Sequence, residues 1–277
     1  MDEHIIEALG KAKIKIQNGK IVEIEDPEID YCPLFHKYRN IEKLDKDTIK
    51  ENIDFRIADF GMCMPNRELR MKDFLSFGIS ETISTLLDDN VIDSAVIVCE
   101  GCGTVIMTEG ELVQGIGGRV SGLVKTTPIP EIIAKIGKEN IVNPNTAEID
   151  QIGGIELAIK KGFKNIAVTI AYSKDCNEIN KLKEENPDVN IYTFVVHTTG
   201  LSKEDAEILF NNSDVITSCA SKYMREIGDK NSLKIVGQSI PIYARTEKGK
   251  EFLELRLAKI GGEKPKKENP KIPDPLI

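Results

Sequence analysis

From Ser94 onward, short β-branched apolar runs recur at Ala95-Val96-Ile97-Val98, Ile166–Ile170, Ile191–Val196, Val215–Thr217 and Lys234–Val236, separated by amphipathic stretches of helical length. Nothing else in the chain restricts its fold as much. Runs that are apolar on both faces need cover above and below, and helical connections return the chain so that successive strands lie parallel. The pattern predicts an α/β domain with a mainly parallel sheet and helices on both faces. Helices are expected at 129–136, 147–161, 175–185, 203–211 and 222–227, with a last one at 248–260. Ser202-Lys203-Glu204-Asp205 reads as a capping box with Asp in place of the usual Glu.

Ahead of this region, a short helix is expected from Glu3 to Leu9. Alternating residues on either side of Asn18-Gly19 then predict a β-hairpin, because a type I′ turn needs positive φ at both central positions. Residues 1–30 read as an appendage and 31–260 as the α/β domain. Within the latter, a polar helix near 47–52, a short strand at 55–60 and a helix at 79–88 precede the regular pattern. Residues 261–277, with four prolines and four lysines, read as a flexible tail.

At 277 residues and 40% apolar content the chain can bury a large core without disulfides. Its net charge of -8 and lack of a basic stripe argue against a nucleic-acid partner. No run reaches the roughly 18 apolar residues that cross a bilayer, and the start Met1-Asp2-Glu3-His4 lacks signal-peptide order, so a cytoplasmic location is expected. The six cysteines are then thiols, ligands or packing residues.

In parallel α/β sheets ligands bind beyond the carboxyl ends of the strands. Cys99, His197 and Cys219 follow apolar runs, Cys176 comes shortly after another, and Cys63 follows the strand expected at 55–60. The sharpest motif is Cys99-Glu100-Gly101-Cys102-Gly103-Thr104, whose thiols are spaced to share a metal and whose glycines let the backbone turn toward them. Cys63 and Cys219 are the next candidate ligands, and zinc or an iron–sulfur cluster the candidate cofactors. Two other readings stand beside that one. Cys99 and Cys102 are a redox or nucleophilic pair with His197 as base, or they are small buried hydrophobes. Cys32-Pro33-Leu34-Phe35-His36 is read as a loop, with the alternative that, if the segment turns helically, its thiol and imidazole are spaced to ligate one ion. Gln114 to Gly122 is read as a glycine-rich loop in which Gly117, Gly118 and Arg119 offer an anion site, with Lys125 near enough to add a contact.

Three stretches, Asp59 to Asn66, Val98 to Thr104 and Gln114 to Leu123, resemble the methanogenesis marker protein 8 family, and the likeness extends over most of the chain except the tail. The resemblance implies an anaerobic, reducing archaeal cytoplasm, where iron–sulfur ligation is favoured, and a role linked to methane formation. That role would be an accessory or maturation function, with proteins of the methyl-coenzyme M reductase system as partners. It assigns no catalytic residue. The sequence therefore leaves three functions open: a metal- or cluster-binding accessory protein, a thiol-dependent transferase or redox enzyme acting on a small anion, and a structural subunit of a larger complex.

Overall fold

The computed structural model describes residues 2–73, 77–120, 122–265 and 267–277. Ser121 of the glycine-rich stretch and Lys266 of the tail lie outside them. The chain runs β1 (His4–Ala8), β2 (Ala12–Gln17), β3 (Lys20–Ile24), α1 (Pro33–Arg39), α2 (Lys46–Phe60), α3 (Ile79–Asp88), β4 (Ser94–Cys99), β5 (Gly103–Met107), α4 (Gly110–Gly117) and β6 (Leu123–Lys125). It continues through α5 (Pro130–Ile136), α6 (Gln151–Lys160), β7 (Asn165–Ile170), α7 (Asp175–Glu185), β8 (Asn190–Val195), α8 (Lys203–Asn211), β9 (Val215–Thr217), α9 (Lys222–Asn231), β10 (Lys234–Val236), β11 (Ile242–Ala244) and α10 (Glu247–Lys259).

Seven strands form the large sheet in the order β10-β11-β9-β8-β7-β4-β5. The pairings among β4, β7, β8 and β9 are parallel, while β5, β11 and β10 join antiparallel. The sheet is thus mixed, which corrects the mainly parallel expectation. The reason is local. Gly101 and Gly103 have φ of 81° and 74° and turn the chain straight back into β5, while Gly237 at φ 86° lets β10 return as β11. Neither return needs a helix, so each gives an antiparallel neighbour.

Side chains alternate between the two faces of this sheet, as the two-residue strand period demands. Ala95 and Ile97 point to a core closed by α3, α4, α5 and α10, and Val96, Ile166 and Val168 to one closed by α6, α7, α8 and α9. Helices therefore do cover both faces.

A second sheet, β3-β2-β1-β6, is antiparallel throughout. The Asn18-Gly19 hairpin forms here, with φ of 48° and 69° at the turn. The helix expected over Glu3–Leu9 is instead strand β1. Its β-branched Ile5 and Ile6 suit a strand, and its backbone is paired on both edges, with β2 and β6. The strand expected at 55–60 is the second half of α2, which an Asp45–Thr48 capping box starts and Gly61 at φ 73° ends. Pro33 at the first helical position opens α1 where a loop was expected. The glycine-rich stretch enters α4, because Gly115 is a packing glycine: a Cβ there would lie 2.0 Å from the Leu69 carbonyl oxygen.

The small sheet, α1 and α2 enclose a third core that also takes in Val98 at the end of β4 and Ala220 beyond β9. This layer lies across the carboxyl ends of the parallel strands. The last residues return to it: the Asp274 amide donates to the Tyr31 carbonyl and the Ile277 amide to the Ala220 carbonyl, both at 3.1 Å.

Candidate functional site

Two places at the carboxyl ends of the parallel strands bring chemically capable side chains together. The first is a cleft of about 310 Å³ between β1 of the small sheet and the segments that follow β7 and β8. His197 comes two residues after β8, with φ of 59°, a left-handed conformation that a residue with a Cβ rarely adopts. Its Nε2 lies 2.8 Å from Glu7 Oε2. Gly122 seats the ring, since a Cβ there would lie 2.7 Å from His197 Cε1 and 2.2 Å from the Glu7 carbonyl oxygen. The bond from His197 holds the Glu7 carboxyl below the usual carboxylate range, against the opposing effect of burial. An ionised Glu7 can only accept, so Nε2 carries the proton and Nδ1 is the basic nitrogen.

The loop after β7 supplies Tyr172, Ser173 and Lys174, and Lys11 faces them from the small layer. Ser173 Oγ donates to Asp205 Oδ1, and Ser202 Oγ holds the other carboxylate oxygen at 2.6 Å. These two hydroxyls keep the Asp205 carboxyl low. Lys174 Nζ is 5.4 Å from the Tyr172 ring centre, and Lys11 Nζ is 3.6 Å from Glu28. The cleft thus combines an imidazole–carboxylate pair, a fixed hydroxyl and two ammonium groups. That set can bind a small anion and move a proton.

The second place is a sealed centre around the Cys99–Cys102 turn. Cys99 ends β4, the Cys102 amide donates to the Cys99 carbonyl at 3.1 Å, and Cys99 is opposite Gly103 in the ladder. Both flanking glycines have a packing duty: a Cβ on Gly101 would lie 2.8 Å from Ile129, and one on Gly103 2.1 Å from the Glu148 carbonyl oxygen. Cys63, Cys99 and Cys102 are fully buried. A hydrogen bond with Cys102, then burial, pushes the Cys99 thiol up, and burial does the same to Cys63. Cys63 and Cys99 are therefore thiols rather than thiolates at neutral pH.

Beside them Arg67 Nε donates to Glu100 Oε1, with both side chains buried, and Arg67 Nη2 reaches the Gly115 carbonyl at 2.9 Å. Glu100 Oε2 has no hydrogen-bond partner. A second chain closes the turn from the small sheet. His4 Nε2 bonds Asp2 Oδ1 at 2.7 Å, His4 Nδ1 bonds Thr126 Oγ1 at 2.6 Å, and the Gly101 amide donates to that same Oγ1 at 2.7 Å. Burial holds the His4 imidazole below its ordinary pKa. It is neutral, so Nε2–H donates to Asp2 and Nδ1 accepts the Thr126 proton.

The residues singled out from sequence thus divide. Cys63 and Cys99 share the electrostatic surroundings of Glu100 and Arg67, and Cys102 is the hydrogen-bond partner of Cys99. Cys219 is half-buried beyond β9, beside Cys32. Cys176 is buried in α7. Among the described residues, no three His, Cys, Asp or Glu side chains are placed to hold one metal ion. Gly117 and Gly118 lie at the end of α4, and Arg119 donates to the Glu68 carbonyl at 3.1 Å. Lys125, in β6, pairs with Glu3 at 2.8 Å. Glu7, Ser173, Asp205, Arg67 and Glu100 were not foreseen. Glu7 was hidden by the helical reading of its segment, whereas Ser173 and Asp205 carried a usable signal in following a strand and sitting in a capping box.

Residues 4–258 match a family described as an uncharacterised protein conserved in archaea, DUF2099. The chain is also 43% identical over 256 residues to the uncharacterised protein MJ0054 of Methanocaldococcus jannaschii, covering 91% of this chain and 90% of that protein. No helix among the described residues is long and apolar enough to cross a membrane.

Proposed function

The chain belongs to this archaeal family, and we propose that it is an enzyme of general acid–base chemistry acting on a small anionic substrate in the His197–Glu7 cleft. One observation carries the reading: an imidazole held in a rare backbone conformation, 2.8 Å from a carboxylate, in a cleft beyond the carboxyl ends of parallel strands. The His197–Glu7 pair takes or returns the proton, and Lys174 and Lys11 draw the anion in. Ser173, aligned by Asp205, supplies a hydroxyl for orientation. The resemblance to the methanogenesis marker protein 8 family and the relative from a methanogen both support placing this chemistry in a methane-forming metabolism.

The test is proton exchange. Small hydroxy, keto and phosphorylated acids are incubated with the protein in deuterium oxide, and loss of C–H signal is followed by NMR. Wild type exchanges at least one of them, and His197→Gln slows that exchange by about 10² or more. Exchange with none of them, or exchange indifferent to His197→Gln, overturns the reading.

A second reading, a zinc or iron–sulfur site at Cys99 and Cys102, draws support from the unpartnered Glu100 Oε2 beside the thiols. The thiols as they stand do not make a ligand set for one ion, so binding would require the turn to rearrange. Purification without oxygen, followed by assay of iron, zinc and acid-labile sulfide, decides it. Stoichiometric metal lost on Cys99→Ser supports the site, and metal-free folded protein removes it.

A further inference from the structure

Most polar side chains of the His197 cleft already have partners. Glu7 meets His197, Asp205 accepts from Ser173 and Ser202, and Lys11 faces Glu28. The rest of the lining is apolar: Ala171, the Tyr172 ring and Leu201 border the same cleft. At about 310 Å³ its volume reaches the range of roughly 300 to 1,000 Å³ in which sites hold ligands larger than a bare anion. A carboxylate or phosphate therefore leaves room for a body of ring size, and that body would meet apolar side chains.

Tyr172 is the unusual member of this lining. Among the described residues it is the one exposed tyrosine, at 53%, whereas Tyr31, Tyr38, Tyr192, Tyr223 and Tyr243 are buried or half-buried. An aromatic ring normally hides most of its area, so an open one in a cleft is informative. The loop that carries it is nonetheless fixed. The Asp175 amide donates to the Tyr172 carbonyl at 3.4 Å, and the next residue, Ser173, is tied to Asp205. Partial burial, then the Glu7 and Asp175 carboxylates, push the Tyr172 phenol up, in keeping with a ring set on the side of the dyad. Lys174 Nζ lies 5.4 Å from the ring centre and forms no ion pair among the described residues. An acidic group on a ring resting against Tyr172 is thus within reach of an ammonium whose other neighbour is a π-face.

We propose that the substrate taken by this cleft is an aromatic or heteroaromatic acid, its ring stacked on Tyr172 and its anionic group held by Lys174. This substrate class rests on the acid–base reading of the cleft. Isothermal titration of the full chain at constant ionic strength tests it with two pairs of probes, phenylacetate against isovalerate and phenyl phosphate against butyl phosphate. Each pair sets a planar ring against a flexible apolar chain on the same anion. In at least one pair the ring-bearing probe is expected to bind saturably and about fivefold or more tighter. Tyr172→Ala should abolish that preference with an unaltered melting temperature, Tyr172→Phe should keep it, and Lys174→Gln should weaken both members of the pair. No saturable binding, equal affinity within both pairs, a preference that survives Tyr172→Ala, or one lost equally in Tyr172→Phe overturns the proposal. Ring selection by Tyr172 without proton exchange of any acid overturns the acid–base reading and leaves the ring site standing. Exchange that depends on His197 without ring selection does the reverse.

Discussion

The thiol centre and the His197 cleft both lie where the parallel strands end, yet the protein treats them in opposite ways. Around Cys99 and Cys102 every approach is filled: Ile129 presses on Gly101, Glu148 on Gly103, and Thr126 caps the turn. Around His197 a cleft of about 310 Å³ stays open, lined by groups that titrate or carry charge. Position beyond a strand end therefore does not by itself make a catalytic site. The packing above that strand end decides which residue meets solvent and which becomes core.

The contrast can be broken most severely at the buried ion pair. Arg67→Met would strand Glu100 without its charge partner, and a loss of about 3–5 kcal/mol is expected in equilibrium denaturant unfolding. Near-wild-type stability would mean that this centre is more hydrated than its burial indicates. Next comes Gly115→Ala, whose new methyl would collide with the Leu69 carbonyl. A loss of about 1–3 kcal/mol is expected, and a neutral result would remove the packing account of this glycine.

His4 gives a smaller, pH-dependent effect. Its folded pKa lies below the unfolded value, so on acidification the unfolded chain takes up the proton first. The stability contributed by the neutral ring is complete above the ordinary histidine range and shrinks as pH falls from about 7 to 5. Wild type should therefore lose more melting temperature over that interval than His4→Asn, and parallel curves would contradict the neutral assignment. The smallest stability change is expected in the cleft. Glu7→Gln should cost about 1 kcal/mol, because it keeps an acceptor for His197 in place of the buried carboxylate, while still impairing proton exchange.

The sequence made the α/β half legible because its signals are local. Helices at 175–185 and 203–211 fall where periodicity and the Ser202 cap put them, and the strands match the apolar runs. It misled where tertiary pairing overrides local pattern. Glu3–Leu9 reads as a helix in isolation and becomes a strand because β2 and β6 flank it, the latter more than a hundred residues away. That one error hid Glu7 and with it half of the dyad. His197 was visible as a strand-end residue, whereas its partner is 190 positions distant and belongs to another sheet. The Cys-x-x-Cys spacing was equally visible, but spacing carries no information about what packs over the turn.

Chemical footprinting of the native protein, read by mass spectrometry, tests the central claim most directly. A thiol-alkylating reagent and an imidazole-acylating reagent are applied together, with denatured protein as the reference. His197 should be modified readily while Cys63, Cys99 and Cys102 stay protected until the chain unfolds. Rapid alkylation of Cys99 or Cys102 alongside a protected His197 would contradict the account and move the chemistry to the thiols.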